Sequence, residues 1–221
     1  MTQFASASFT SADGIELSVA DSNFSKMGTC DNAIVTSNRI LAAAGATPPR
    51  YRNIATPPSA DYQVACDLYI LGALETTTSA GPLARCASST LDGYWARWRN
   101  GTGIQLFRYV SGAATHLGST VAQSQAAGTT LRLTLRCSGN TISVYRNAEP
   151  SPIISATDST FTSAGFAGLL TTTTVTSGDG PHIDNWSADT IDAVGTSATF
   201  AVTTDSPVFS GSAQVVGAPA T

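Results

Sequence analysis

The stretch TTLRLTLRCSGNTISVYRN, residues 129–147, alternates apolar and polar side chains on both sides of a short polar segment. Leu131, Leu133, Leu135 and Cys137 fall at every second position. Successive side chains of a β-strand point to opposite faces, so this period of two predicts strands with one buried face. The Gly and Asn of the intervening CSGN segment are residues that tight hairpin turns favour. The stretch therefore predicts an antiparallel hairpin that packs one face against an apolar core.

The same period of two runs through most of the chain, and turn segments such as RNGTG and VSGAA separate the alternating stretches. Further strand-like stretches are DYQVACDLYI (61–70), GYWARW (93–98) and GIQLFRYV (103–110). The only helix-like stretch, NRILAAAGA, is too short to carry a fold. Short strands with turn residues between them are typical of antiparallel sandwiches. The sequence therefore predicts an all-β protein built from two antiparallel sheets.

Five short motifs follow one another along the chain in a characteristic order. They are SADY (59–62), LARC (83–86), LRLTLRCSGNTISVYRN (131–147), AGFAGL (164–169) and IDNW (183–186). Their order, with that of the strands, resembles the concanavalin A-like lectin/glucanase jelly roll, in the LamG-like branch of phage and bacterial surface proteins. The resemblance covers about residues 4–190 and implies two antiparallel sheets, one of them concave and often facing ligand.

The chain changes character near its end. We predict a LamG-like jelly-roll sandwich over residues 1–192 and a small-residue, β-prone C-terminal extension over 193–221. Within the extension, VGTSAT (194–199) and VGAPAT (216–221) match at four of six positions. Two interpretations remain open: an assembly or repeat segment, and a flexible tail whose low complexity produces the match.

Charge and hydropathy narrow the possible partners. Only 12% of the residues are charged, the net charge is −4, and Lys and Arg form no cluster. These features predict no nucleic-acid partner and favour an extracellular or virion surface. No apolar run approaches the ~20 residues of a transmembrane helix, so no membrane insertion is expected. The first residues lack the pattern of a signal peptide, which favours synthesis in a host cytoplasm.

Catalytic patterns are weak. Glycosidases of this fold use paired carboxylates, but Asp61 and Asp67 lie six positions apart on one strand, roughly 20 Å at the rise of a β-strand. Neither His116 nor His182 accompanies a GxSxG nucleophile motif. We therefore expect no enzyme and no catalytic residue.

Metal and cofactor binding are not predicted either. The four cysteines show no metal-ligand spacing, and the alternation around Cys66 and Cys137 indicates buried thiols. The loops CDN (30–32) and SGDG (177–180) offer a few oxygen ligands, which leaves calcium possible although no loop gathers several carboxylates. Disulfide pairing is left open by the sequence. The cysteines are Cys30, Cys66, Cys86 and Cys137.

The best candidate for recognition is LDGYWARWRNG, in which alternation places Trp95, Arg97 and Arg99 on one face of a strand. A face with two arginines is expected to be solvated, so Trp95 is expected to be partly exposed. An aromatic ring beside guanidiniums can stack on a sugar while Arg binds its hydroxyls. Two alternatives are that the arginine stems cover Trp95, and that Trp95 packs on a neighbouring subunit.

The stretch GPHIDNWSA (180–188) combines a histidine with an aspartate, but its pattern predicts the closing strand of the sandwich. Strict alternation leaves two possibilities. In one, Trp186 points inward together with Asp184. In the other, Ile183 is the core residue, and His182, Asp184 and Trp186 face outward. Neither supplies a nucleophile for His182.

Two functions follow from these observations. The first is a non-catalytic virion structural or decoration protein of a phage, which presents the jelly roll on the particle surface and contacts other subunits, as a homo-oligomer. The second is a carbohydrate-binding adhesion module of a bacterial surface or phage tail protein, with a cell-surface glycan as partner. The same fold serves both roles.

Overall fold

The computed structural model describes residues 1–43, 45–71, 78–172 and 180–191. The predicted extension, 193–221, and its possible repeat lie outside the described residues. The described chain forms one short helix, α1 (Leu17–Ala20), and fifteen strands. In chain order the strands are β1 (Gln3–Ala7), β2 (Phe24–Lys26), β3 (Ala33–Thr36), β4 (Arg39–Ala42), β5 (Arg50–Asn53), β6 (Tyr62–Ile70), β7 (Ser79–Cys86), β8 (Gly93–Arg99), β9 (Gly103–Val110), β10 (Ala113–Val121), β11 (Thr130–Ser138), β12 (Thr141–Arg146), β13 (Ile154–Thr157), β14 (Phe166–Thr171) and β15 (Pro181–Thr190).

The strands form two antiparallel sheets. The eight-stranded sheet has the order β13-β12-β11-β6-β15-β4-β3, with β1 paired to β15. The seven-stranded sheet has the order β10-β9-β8-β7-β14-β5-β2. A shared apolar core joins side chains from both sheets. This confirms the predicted all-β, two-sheet jelly-roll sandwich. None of the described helices is long and apolar enough to cross a membrane.

The hairpin of β11 and β12 shows why the alternating sequence folds as it does. Leu131, Leu133, Leu135 and Cys137 of β11 are fully buried, whereas the residues between them are not. The turn pairs Ser138 with Thr141, as the CSGN segment predicts. Both faces of the strand thus obey the pattern that the sequence shows.

The buried thiols are also as predicted. Cys66 and Cys137 are fully buried core residues, and all four cysteines are free. Burial raises the pKa of the Cys137 thiol to about 12, so it stays protonated and behaves as a small apolar side chain.

The helix-like stretch NRILAAAGA is a strand instead. Its residues Arg39–Ala42 form β4, and Ile40 pairs with Ile183 of β15. The described helix lies earlier, at Leu17–Ala20, where the sequence predicts no helix. Leu17 is fully buried there. Both departures have one cause, because tertiary packing overrides weak local preferences in segments of four residues.

The closing strand, β15, combines parts of the two alternatives left open by the sequence and matches neither of them in full. Ile183 and Trp186 both lie in the main core, although they are three positions apart. A β-bulge makes this possible, because the register with β6 shifts between Asp184 and Ser187. The bulge contains Asn185 with φ of +44°, in the left-handed region that Asn tolerates better than most residues. Asp184 therefore does not share the inward face of Trp186.

We predict that the bulge depends on the left-handed backbone of Asn185. Both Asn185→Gly and Asn185→Ala remove the hydrogen bond from its side-chain amide to Asp67, but only Ala keeps a Cβ that this conformation disfavours. The Ala variant is therefore expected to be less stable than the Gly variant by about 1 kcal/mol. Urea unfolding of the two variants measures this difference. Equal stabilities, or a more stable Ala variant, would contradict the prediction.

Candidate functional site

The alternation of β8 is confirmed. Tyr94, Ala96 and Trp98 lie in the main core between the sheets. Trp95, Arg97 and Arg99 consequently lie on the opposite side of the strand, on the outer face of the seven-stranded sheet. The predicted recognition residues thus share one face, as the sequence indicates.

Trp95 itself is not exposed, which corrects the expectation that it is partly solvated. Only 1% of the residue is accessible. The rings of Phe107 and Tyr109, on the neighbouring strand β9, have centroids 6.4 and 6.0 Å from that of Trp95. The guanidinium carbon of Arg97 lies 5.1 Å from the centre of its ring. Trp95 is therefore covered partly by Arg97, in line with one of the alternatives, and partly by the rings of Phe107 and Tyr109, which the alternative did not include.

Arg97 is held against this aromatic surface. Its guanidinium carbon lies 4.4 Å from the centre of the Phe107 ring, within the range of a cation–π contact. Its Nε and Nη2 donate to Oε1 of Gln105 at 3.0 and 2.8 Å. The amide nitrogen of Gln105 in turn donates to the hydroxyl of Thr120. Contacts with the ring of Phe107 and the side-chain amide of Gln105 thus fix the direction of the Arg97 guanidinium.

Two of the aromatic residues are partly accessible, and neither is among the site residues predicted from the sequence. Phe107 and Tyr109 are both half-buried. Phe107 lies directly opposite Trp95 on β8 and opposite His116 on β10, whose ring is 5.1 Å away. The signal was present, because alternation in GIQLFRYV places Gln105, Phe107 and Tyr109 on one face. Alternation alone does not show that these residues lie beside Trp95, because that depends on the register between β8 and β9.

An apolar cluster continues this surface across the sheet. We call it the outer cluster, because it is separate from the main core and contains Trp95. Phe166 of β14 packs against it, and the guanidinium carbon of Arg52 on β5 lies 4.2 Å from the centre of the Phe166 ring. The buried members of the outer cluster are Met27, Leu83, Cys86, Trp95 and Leu170.

The carboxylates considered for catalysis have structural partners. Asp61 accepts from Arg85 at 3.3 Å and from the backbone N–H of Gly139 at 2.8 Å. Asp67 accepts from Arg132 at 2.8 Å and from the side-chain amide of Asn185 at 2.9 Å. Both carboxylates therefore hold neighbouring segments of the sandwich together.

The loops considered for calcium give no metal site within the described chain. No group of three or more His, Cys, Asp and Glu side chains that could hold a metal ion occurs there. In the CDN loop, Asp31 accepts the backbone N–H of Thr47, and Asn32 accepts from Lys26. Residues 177–179 of the SGDG loop lie outside the described residues.

The two histidines have different surroundings. His116 is exposed on β10. His182 is only 1% exposed, and neither ring nitrogen has a hydrogen-bond partner in the described part of the chain. Burial, together with the charge of Arg39, lowers the pKa of His182. His182 is therefore a neutral, buried side chain opposite Tyr69 of β6.

The buried His182 predicts a loss of stability in mild acid. The unfolded chain takes up a proton at this residue near pH ~6.5, whereas the folded chain resists it because the pKa is lowered. The unfolded state then binds more protons, so the free energy of unfolding falls as the pH is lowered from about 7 to about 5. His182→Leu should reduce this fall, as measured by urea unfolding at several pH values. The control His116→Gln should leave the fall in place, and an unchanged fall in His182→Leu would contradict the prediction.

Comparison with known proteins supports the fold. No protein-family model matches the sequence, and no curated protein matches it significantly. Solved structures do match. The carbohydrate-binding module CBM66 from Bacillus subtilis aligns with a TM-score of 0.57 at 18% identity, over 76% of this chain and 96% of that one. The carbohydrate recognition domain of Emp46p aligns with a TM-score of 0.60 at 12% identity, over 85% of this chain and 97% of that one.

A third similar structure is the exoplasmic/lumenal domain of VIP36 bound to Ca²⁺ and Man3GlcNAc. It aligns with a TM-score of 0.56 at 12% identity, over 80% of this chain and 88% of that one. The chain therefore has the concanavalin A-like jelly-roll fold. Identities this low establish the fold alone, and the LamG-like branch stays a prediction.

Proposed function

We propose that this chain is a non-catalytic carbohydrate-binding module whose site is the outer face of the seven-stranded sheet. Of the two functions that the sequence allows, this one explains the most about the described residues. The single observation that carries it is the pair of half-buried rings, Phe107 and Tyr109, beside the oriented guanidinium of Arg97.

The chemistry of this surface suits a sugar. A flat ring that is partly open to water can stack against the apolar face of a sugar ring, while fixed guanidinium donors bind its hydroxyl oxygens. Arg97 is oriented before any ligand arrives, because Gln105 and two rings already hold it. Such preorganisation reduces the entropy that binding must overcome. The carbohydrate-binding module CBM66 and the carbohydrate recognition domain of Emp46p share the fold and support the proposal.

Substituting the accessible rings tests the site. Phe107→Ala and Tyr109→Ala should each weaken glycan binding about three- to tenfold, because each removes a stacking surface. A glycan array identifies the ligand, and titration calorimetry measures the change. Tyr145→Ala is the matched control, because Tyr145 is a half-buried ring stacked with Arg136 on the eight-stranded sheet. Unchanged binding in both site variants would exclude this face, and an array without any bound glycan would exclude the function.

The virion structural role remains a second candidate, favoured by the edge strand β10. This strand ends the seven-stranded sheet and has no second strand partner among the residues described. Seven of its nine residues are exposed, and the strand contains no charged residue or proline. Native edge strands usually carry such residues to prevent pairing with another chain. The edge of β10 therefore suits strand pairing between subunits on a particle surface.

Subunit pairing through β10 predicts that a lysine on this edge shifts the protein toward the monomer. Ala113→Lys places a charge at the start of β10, and a lysine on an exposed edge strand disfavours pairing with another chain. Size-exclusion chromatography with light scattering measures the effect on the full chain, and Ala148→Lys, at an exposed position between β12 and β13, is the control. A chain ending at residue 192 tests the extension in the same experiment. A full chain that is monomeric at high concentration would contradict the oligomer.

A further inference from the structure

The two sheets differ in charge. The strands of the seven-stranded sheet contain seven of the eleven Lys and Arg residues and no Asp or Glu. The strands of the eight-stranded sheet contain both signs, with Asp67, Asp184 and Asp189 among them. This contrast is notable in a chain whose net charge is −4. The strands of one sheet of this acidic protein are therefore basic.

Three of the seven cations of this sheet are neutralised by carboxylates from elsewhere in the chain. The ion pairs are Lys26 with Glu16 at 3.2 Å, Arg85 with Asp61 at 3.3 Å and Arg108 with Asp158 at 2.6 Å. The other four have no carboxylate within ion-pair distance among the described residues. They are Arg50, Arg52, Arg97 and Arg99.

These four arginines share the outer face of the sheet. Tyr51 lies in the main core, so Arg50 and Arg52 on either side of it point outward. Arg97 and Arg99 lie on the outward side of β8. Two strands, β14 and β7, separate β5 from β8, so the two arginine pairs are roughly 14 Å apart at the usual strand spacing. The outer cluster fills the space between them.

Arg97 and Arg99 are more than ordinary solvated surface charges. Both are half-buried, and Nε of Arg99 is buried without a hydrogen-bond partner in the described structure. Burial lowers the pKa of Arg97, and the charge of Arg99 lowers it further. Two like charges on one face, with only a neutral amide as acceptor for the first, are unfavourable without a counter-charge. A bound anion would supply that counter-charge.

From this distribution, and resting on the proposed function, we propose that the ligand is an acidic oligosaccharide, one whose sugar rings carry carboxylate groups. A planar guanidinium binds a carboxylate through two parallel hydrogen bonds, which gives both charge and direction. Phe107 and Tyr109 contact the sugar rings, and Arg97 and Arg99 bind a carboxylate of the same ligand. A chain of several sugars then crosses the outer cluster toward Arg52.

An array of acidic oligosaccharides, each printed beside its methyl ester, tests the inference. The ester keeps the same rings but carries no charge. The acid is expected to bind at least about tenfold tighter than its ester, since a hydrogen bond to a charged group contributes about 1.5–3 kcal/mol. Added salt should weaken binding of the acid and leave that of the ester unchanged, because salt screens exposed charges.

Substitutions of single arginines test whether this face causes the preference for the acid over its ester. Arg99→Gln should lower the ratio of the affinities for acid and ester about tenfold. The control Arg136→Gln removes one arginine charge from the eight-stranded sheet and should leave this ratio unchanged. Arg97→Gln should act in the same direction. If this variant is destabilised by the loss of its contacts to Gln105, Arg52→Gln provides the second measurement.

The outcomes separate the two proposals. Acids and esters bound equally well would overturn the acidic ligand and leave carbohydrate binding in place. An array with no bound glycan would overturn both. A single-stranded DNA oligonucleotide bound as tightly as the acidic glycan, at the same salt concentration, would also overturn the inference, because the face would then recognise any polyanion.

Discussion

The indole of Trp186 links the two sheets, and the rest of the sandwich depends on its position. Trp186 belongs to β15 in the eight-stranded sheet, and its ring N–H donates to the carbonyl of Gly168 on β14, in the seven-stranded sheet, at 3.0 Å. Its ring meets that of Phe24 on β2 edge-on at 5.1 Å. A buried indole N–H without an acceptor would be costly, so this bond fixes the distance and register between the sheets. The bulge at Asn185 makes the position available.

Sequence alone predicts the strands but not this bulge. Alternation along β6, β8 and β11 follows from the period of the side chains, and each of these strands buries the face that the pattern indicates. In β15 the same rule forces a choice between Ile183 and Trp186. The choice disappears because one residue is inserted, and a bulge has no signature in the alternation of a single strand. Only pairing with β6 shows where it lies.

The candidate site, too, can be predicted from the sequence only in part. The face shared by Trp95, Arg97 and Arg99 follows from alternation, whereas the burial of Trp95 does not. That burial comes from Phe107 and Tyr109, which β9 places beside β8 through the pairing of Trp95 with Phe107. A solvated arginine and an arginine lying flat on a ring look the same in a sequence. The difference lies in contacts between strands, which also explains why the accessible rings were not identified from the sequence.

The burial of Trp95 changes how binding at this face has to be understood. An exposed tryptophan would be the contact surface itself, and its removal would report directly on a ligand. Here Trp95 lies beneath Arg97 and Phe107 and holds them at the surface, within an outer cluster that the main core does not include. Removing it would leave a cavity and take away one of the contacts of the guanidinium, so stability and binding would change together. The residues proposed to meet a ligand are instead the ones that Trp95 supports, and their direction is set before a ligand arrives. Recognition at the proposed site would therefore depend on a buried residue that the ligand does not touch.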